Sequence, residues 1–200
     1  MATQQLTIPM FPLEILLLPG ESKILHIFEE KYKQLISDCL SNQANFGIPY
    51  TAKKKIADFG VEVRIVEVLK TYESGDYDIL IEGVRIFKLL KFSNVLTPKL
   101  YGACLISIDS KNIDAPSMKL QNLANDYLLS SQQNDFKIEL DENLTLFGIA
   151  KSLNLSDTEK LEFIKLNSAL LKETFLIKKI KLLSYILAAE NILKSNFVLN

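Results

Sequence analysis

Apolar and polar positions follow two different periods along this chain, and the change falls near residue 110. Before it, short apolar runs are punctuated by Gly, Pro, Ser and Asp, as strands are by turns. "LTI" and "LEILLL" are separated by Pro12 and closed by Pro19-Gly20, a spacing of prolines that suits edge strands or turns. "FGIPYT" reads as a short strand. "FGVEVRIVEVLKTY" alternates through Val61, Val63 and Ile65, then slips phase at Val66, which predicts a bulge. Ser74, Gly75 and Asp76 supply a turn, after which "DILIEGVRIFKLL" runs back with Gly83 marking a bend or bulge. "LLKFSNVL" and "YGACLISI" follow, separated by Thr97-Pro98. Short strands with frequent turns predict a barrel-like or sandwich sheet.

One helix interrupts these strands. Phe28, Tyr32, Leu35, Ile36, Cys39 and Leu40 fall on one helical stripe, with Lys31, Lys33, Gln34 and Asp38 off it. Glu29 and Glu30 sit in the first turn, where the helix dipole favours acids, and Glu29 stands four residues before Lys33, a favourable spacing. From Asp114 onward the period is helical. Asp114 is the expected cap, with Pro116 in the first turn and Leu120, Leu123, Ala124, Tyr127 and Leu128 as the stripe. "SSQQNDFKIELDEN" is a polar connector. A second helix starts near Leu144, Ser156 and Glu159 form a capping box, and a long last helix carries Leu176, Ile180, Leu183 and Leu187 on one face. The expectation is an α+β chain of two units, β-rich over 1–110 and helical over 111–200. No Gly/Ser linker divides them, so they are expected to pack together.

Composition narrows the function more than the fold. Of the 200 residues, 48% are hydrophobic and 24% charged, enough for a sizeable core. Lys and Arg balance Asp and Glu at 12 to 13 over residues 1–110 and at 11 to 11 over 111–200. Neither half attracts nucleic acid or acidic lipid, and only Arg64 and Arg85 could fork onto a phosphate. The two cysteines, Cys39 and Cys104, lie among apolar neighbours without a CxxC pair, which fits buried free thiols in a reduced cytoplasmic setting. The N-terminus lacks the basic start of a signal peptide, and no uncharged apolar run is long enough to span a membrane.

The opening stretch "PMFPLEILLLPGESKILHIFEEKYKQLISDCL" carries a resemblance. It is similar to the start of the Lon protease N-terminal, substrate-binding domain, with its Pro-Leu pair, apolar run ending in Pro-Gly, and Ile-Phe-Glu-Pro-Arg-Tyr motif. Pro12, Leu13, Pro19, Gly20, Ile27, Phe28, Glu29 and Tyr32 match, while Glu30 and Lys31 replace the motif's proline and arginine. Phe46-Gly47 matches the glycine after the helix, and Gly60, Gly83 and Arg85 fall where that family has glycine, glycine and arginine. The helical tail is similar to the family's C-terminal bundle. The resemblance implies a PUA-like β pseudo-barrel with one inserted helix, followed by a C-terminal helical bundle. It implies a protein–protein interaction module for peptide binding. Pro12, Leu13, Phe28, Glu29, Tyr32, Gly60, Gly83 and Arg85 are then scaffold. Glu29 is expected to lock the helix to the sheet through backbone amides or Arg85, and Phe28 to be a buried anchor.

The catalytic parts of a Lon protease have no counterpart in these residues. No GxxxxGK motif followed by Ser or Thr exists, so no P-loop holds ATP phosphates, and the two units fill the chain without an ATPase or peptidase module. Glu29 and Glu30 point about 100° apart on a helix and do not converge as an acid/base pair. His26, the single histidine, has no partners at recognisable triad or metal spacing, so no catalytic residue, cofactor or metal is expected. "FLIKKIKLL", with Lys178, Lys179 and Lys181, fits a bundle helix better than a membrane-surface one. Two other readings stay open: an RNA-binding module using Lys53-Lys54-Lys55, and a hydrolase with a pocket not visible in sequence.

Overall fold

A computed structural model describes residues 4–53, 55–93, 97–108, 115–131 and 144–198, with side chains described as far as 193. The cap expected at Asp114, the middle lysine Lys54 and connector residues 132–143 lie outside these. The chain divides into two compact units: Met1–Asn112 with Ser156–Leu161, and Ile113–Leu155 with Glu162–Asn200.

In the first unit, β1 (Gln4–Met10), β2 (Ser22–Ile27), β3 (Phe46–Ala52), β4 (Lys55–Thr71), β5 (Tyr77–Ser93) and β6 (Gly102–Ile108) form one sheet in the order β2-β5-β4-β3-β1-β6. β5 also pairs with β6, so the strands β5-β4-β3-β1-β6 close into a ring and β2 is left outside it, beside β5. All pairings are antiparallel except β1 with β3. Core positions on the two faces of the sheet, among them Ile48, Val61, Val63, Ile81, Phe87 and Ile106, are at most 1% exposed. The bulge expected at Val66 is present: Ile65 pairs with Ile81 and Glu67 with Leu80. A second register shift skips Val84, next to Gly83.

Gly83 and Gly60 are dictated by close approach of backbone and ring. A Cβ on Gly83 would lie 2.5 Å from the carbonyl oxygen of Leu18, and one on Gly60 would lie 2.5 Å from the Ile48 oxygen and from the Phe87 ring. The opening of Gly83 admits the segment after β1: the Gly20 amide donates to the Gly83 carbonyl at 2.8 Å, and the Gly83 amide to Glu21 at 2.9 Å. That segment is not the strand expected from "LEILLL". It makes one isolated bridge, Leu13 to Tyr50, and then runs as irregular chain with Leu16, Leu17 and Leu18 buried. Side chains supply part of the backbone partners that a ladder would otherwise give. The Leu18 amide donates to Glu21 at 2.8 Å, and the Lys160 ammonium donates to Glu21 at 2.6 Å and to the Leu16 carbonyl at 3.2 Å.

The inserted helix α1 (Glu30–Asn42) buries Leu35, Ile36 and Cys39. It ends on Gln43 in the left-handed conformation, whose amide returns to Leu40, while the Ala44 amide reaches Cys39. Asp38 fixes the helix by accepting from Lys99 and from the Tyr101 hydroxyl, each at 2.8 Å. These two donors hold the Asp38 carboxyl below the usual carboxylate range.

The second unit holds α2 (Met118–Ser130), α3 (Leu146–Ser152), the later part of α4 (Asp157–Lys165) and α5 (Ala169–Val198). Ser117, not a residue before Pro116, caps α2 by accepting from the Leu120 amide; Thr145 caps α3 in the same way through Gly148. Ser156 and Glu159 exchange bonds as the capping box expected for α4. Leu120, Ala124 and Leu128 face inward from α2, Leu176 and Ile180 from α5, and Phe163 stands edge-on to Phe147 at 5.3 Å.

Candidate functional site

β2 is an edge strand, and it is a regular one. Its six residues pair one-to-one with β5, from Ser22 opposite Glu82 to Ile27 opposite Tyr77, without a register shift. The neighbouring free edge, the outer half of β4, is broken by bulges at Ile65/Glu67 and Val68/Lys70. Bulges twist an edge away from further pairing, whereas a regular edge presents alternate N–H and C=O groups at strand spacing. Lys23 is the one charge on β2.

The side chains beside that edge are apolar and exposed. The chain alternates inward at Leu25 and Ile27 and outward at Ile24, His26 and Phe28. Ile24 is 58% exposed and Phe28 63%. His26 stacks on Phe28 with ring centroids 6.0 Å apart and meets Tyr72 edge-on at 5.5 Å, so the three rings form one surface. Asp78, opposite His26 on β5, organises it: His26 Nδ1 lies 2.7 Å from Asp78 Oδ1, and the Tyr72 hydroxyl donates to Asp78 Oδ2 at 2.7 Å. Tyr72 and His26 hold the Asp78 carboxyl below its ordinary range, and Asp78 in turn raises the Tyr72 phenol. Lys70 lies 4.3 Å over the Tyr72 ring. At the end of this surface, Lys33 ties α1 to the β4–β5 turn, reaching Asp76 at 2.6 Å and the Ser74 carbonyl at 3.0 Å.

Three sequence expectations are corrected here. Phe28 is not a buried anchor. The helix starts at Glu30, Glu29 is an extended N-cap residue, and Phe28 still follows the two-residue alternation of β2, which turns it outward. Glu29 does not meet Arg85 and caps nothing with its side chain; its carboxylate pairs with Lys31 at 3.0 Å, and its carbonyl accepts from Tyr32 and Lys33. Lys33 takes Glu30, not Glu29, as its helical partner. Arg85 instead donates through Nε to Glu62 at 2.5 Å, directly across the β4–β5 ladder, and Asn45 supplies the second bond to that 4%-exposed carboxylate at 2.7 Å. Among the other motif residues, Tyr32 stacks on Phe11 at 3.8 Å, Pro12 and Leu13 are half-buried, and Gly60 and Gly83 are buried at the contacts given above. Lys53 and Lys55 are exposed at the β3–β4 turn, where Lys53 has φ 50°.

Among the described residues no cluster of three or more His, Cys, Asp or Glu side chains could hold a metal ion, and no buried side-chain nitrogen or oxygen lacks a partner. No helix among them is long and apolar enough to cross a membrane.

A ring of strands with an appended edge strand, followed by helices, defines a mixed α+β fold of the kind seen in Lon N-terminal domains. It matches the Lon N-terminal domain protein from Xanthomonas campestris with a TM-score of 0.65 at 21% identity, over 86% of this chain and 96% of that one. It matches the N-terminal domain of Mycobacterium avium complex Lon protease with a TM-score of 0.63 at 14% identity, over 88% of this chain and 98% of that one. Residues 7–190 match the family model of the ATP-dependent protease La (LON) substrate-binding domain, and the chain belongs to that family. A search of curated proteins finds no match.

Proposed function

We propose that this chain is a non-enzymatic polypeptide-binding module, and that it takes an extended or unfolded segment at the β2 edge. The observation that carries this reading is the regular open edge of Ser22–Ile27 beside the exposed Ile24 and Phe28. An added strand would satisfy the outward backbone groups of β2, giving affinity with little sequence preference. Ile24, Phe28 and Tyr72 would supply apolar contact to alternate side chains of the bound segment.

The scaffold for this is a PUA-like pseudo-barrel over 1–110 with a C-terminal helical bundle over 111–200. The β5–β6 pairing that closes the ring supports the first, and the convergence of α2 and α3 on α5 supports the second. Pro12, Leu13, Tyr32, Gly60, Gly83 and Arg85 are its structural residues, and Phe28 passes from scaffold to binding surface. Membership of a substrate-binding family supports a protein partner, and the buried free thiols Cys39 and Cys104 fit a reducing cytoplasm.

The test is fluorescence anisotropy with a labelled, reduced and carboxymethylated polypeptide that cannot fold. The wild-type chain is expected to bind in the micromolar range. Ile24→Glu is expected to weaken binding at least tenfold while the circular dichroism spectrum stays unchanged. Equal binding by wild type and a correctly folded Ile24→Glu variant contradicts the site.

A further inference from the structure

His26 stands in the middle of the outward row of the β2 edge, between Ile24 and Phe28, with half of its side chain exposed. Asp78 decides which of its ring nitrogens carries a proton. The Tyr72 hydroxyl and His26 hold the Asp78 carboxyl low, so at neutral pH it is a carboxylate with no proton to give. Its Oδ2 is taken by the Tyr72 hydroxyl, and its Oδ1 lies 2.7 Å from His26 Nδ1. Nδ1 therefore donates, and in the neutral ring Nε2 is left as a bare acceptor. The fixed charges round the ring are matched. On β5 and β4, Asp78 faces Lys70, which lies over the Tyr72 ring. At the β4–β5 turn Asp76 is closed by Lys33, which also takes Glu30 from α1, and Glu29 is closed by Lys31. Lys23 on β2 and Glu73 beyond Tyr72 are of opposite sign. A second proton on His26 thus adds a cation to a row that is otherwise balanced.

We propose that His26 is the specificity-determining residue of this edge: its imidazolium takes an acidic side chain of the bound segment, and its neutral ring does not. The proposal rests on strand addition at β2. A strand laid along β2 sets one side chain directly opposite His26, with Cβ atoms about 5 Å apart. The side chains two residues to either side of it then lie over Ile24 and Phe28. The segment recognised is therefore apolar, acidic and apolar at alternate positions. A bare Nε2 offers a carboxylate nothing, since both are acceptors. The protonated ring offers it a charge-assisted hydrogen bond and repels a lysine in the same place. Histidine is the side-chain type whose charge changes between pH 5 and 8, so the edge selects acidic segments at the lower end of that range and is indifferent at the upper end. Asp78 stays a carboxylate throughout it, and the ring keeps its contacts with Phe28 and Tyr72. The proton changes the charge of the row while the ring holds its place.

The experiment is fluorescence anisotropy of the full chain with two short labelled peptides. Both carry valine at alternate positions; one has Glu and the other Lys in place of the central valine. The affinity ratio of the Glu peptide to the Lys peptide is expected to rise about fivefold from about pH 8 to about pH 5.5, the scale of one exposed ion pair. The peptide Glu stays ionised there, its ordinary value being near 4.3. His26→Gln is expected to hold the ratio level over the same range. Nitrogen NMR of the chain's single histidine is expected to show the Nδ1–H tautomer at pH 8. A rise that persists in His26→Gln overturns the assignment, as does the Nε2–H tautomer. Binding of both peptides by the wild type at a ratio that pH does not move overturns the role of His26 alone. Binding of neither peptide at either pH overturns it together with the β2 site. If His26→Gln fails to fold, the wild-type pH profile and the tautomer decide alone.

Discussion

Replacing Phe28 with Ala separates two roles that the same residue could have in this fold. A fully buried phenylalanine such as Phe87, 1% exposed beneath Gly60, is expected to cost about 3–5 kcal/mol on truncation to Ala, as buried aromatics generally do. Phe28 is 63% exposed, so only about a third of its surface leaves water on folding. Scaling the about 1.5–3 kcal/mol of a fully buried large side chain by that share gives about 0.5–1 kcal/mol. The His26 stack at 6.0 Å adds at most a few tenths of a kcal/mol more at an exposed site. Urea-induced unfolding of the full chain measures this loss. Polypeptide binding should respond far more strongly, falling about tenfold as an exposed aromatic contact is deleted. A loss of more than about 3 kcal/mol in stability would place Phe28 in the core after all and refute the outward alternation on which the site is built. Unchanged stability together with unchanged affinity would refute the binding role alone.

Gly60→Ala is expected to cost at least about 2 kcal/mol by overpacking, since its methyl group would meet the Ile48 carbonyl and the Phe87 ring at 2.5 Å; thermal unfolding reads the loss, and a neutral variant would contradict the close approach. Stability is expected to decline below about pH 4: Asp38, Asp76 and Asp78 have folded-state values depressed by Lys99, Lys33 and Tyr72, so their contribution is complete above the unfolded value near 3.9 and is lost as pH falls through the folded ones. A urea midpoint that stays level from pH 5 to pH 2 would contradict that sign. Burial pushes the Cys39 thiol up to about 11 and Cys104 up to about 12, so both are expected to resist a disulfide reagent in the native chain at pH 8 and to react fully in urea. Rapid native labelling of either would show it is not buried.

The strands with two-residue periodicity were legible because alternation, bulge and turn chemistry agree along β4 and β5: Val66 slips phase and the ladder skips it, and Gly75 turns at φ 79°. Phe28 misled because it satisfies both periods. It lies four residues before Tyr32 on a helical wheel and two after His26 on a strand, and only the extended Glu29 backbone decides between them. "LEILLL" misled because an apolar run reports burial, not a ladder; Leu16, Leu17 and Leu18 are buried in irregular chain whose amide and carbonyl partners, Glu21 and Lys160, are set by tertiary structure. Arg85 finds Glu62 through a register that three successive shifts determine, so no local pattern in the sequence pairs them. The candidate surface was the least legible part. Ile24, His26 and Phe28 alternate visibly in the sequence, but the openness of β2 depends on β5 turning from β2 to β6 along its length, which no local pattern encodes.

Amide hydrogen exchange across β2, with and without saturating unfolded polypeptide, tests strand addition most directly. Protection is expected to rise at alternate residues of Ser22–Ile27, on the amides that face away from β5, with little change along the bulged outer half of β4. Bound polypeptide that leaves the β2 amides exchanging as before, while protecting another surface, would contradict it.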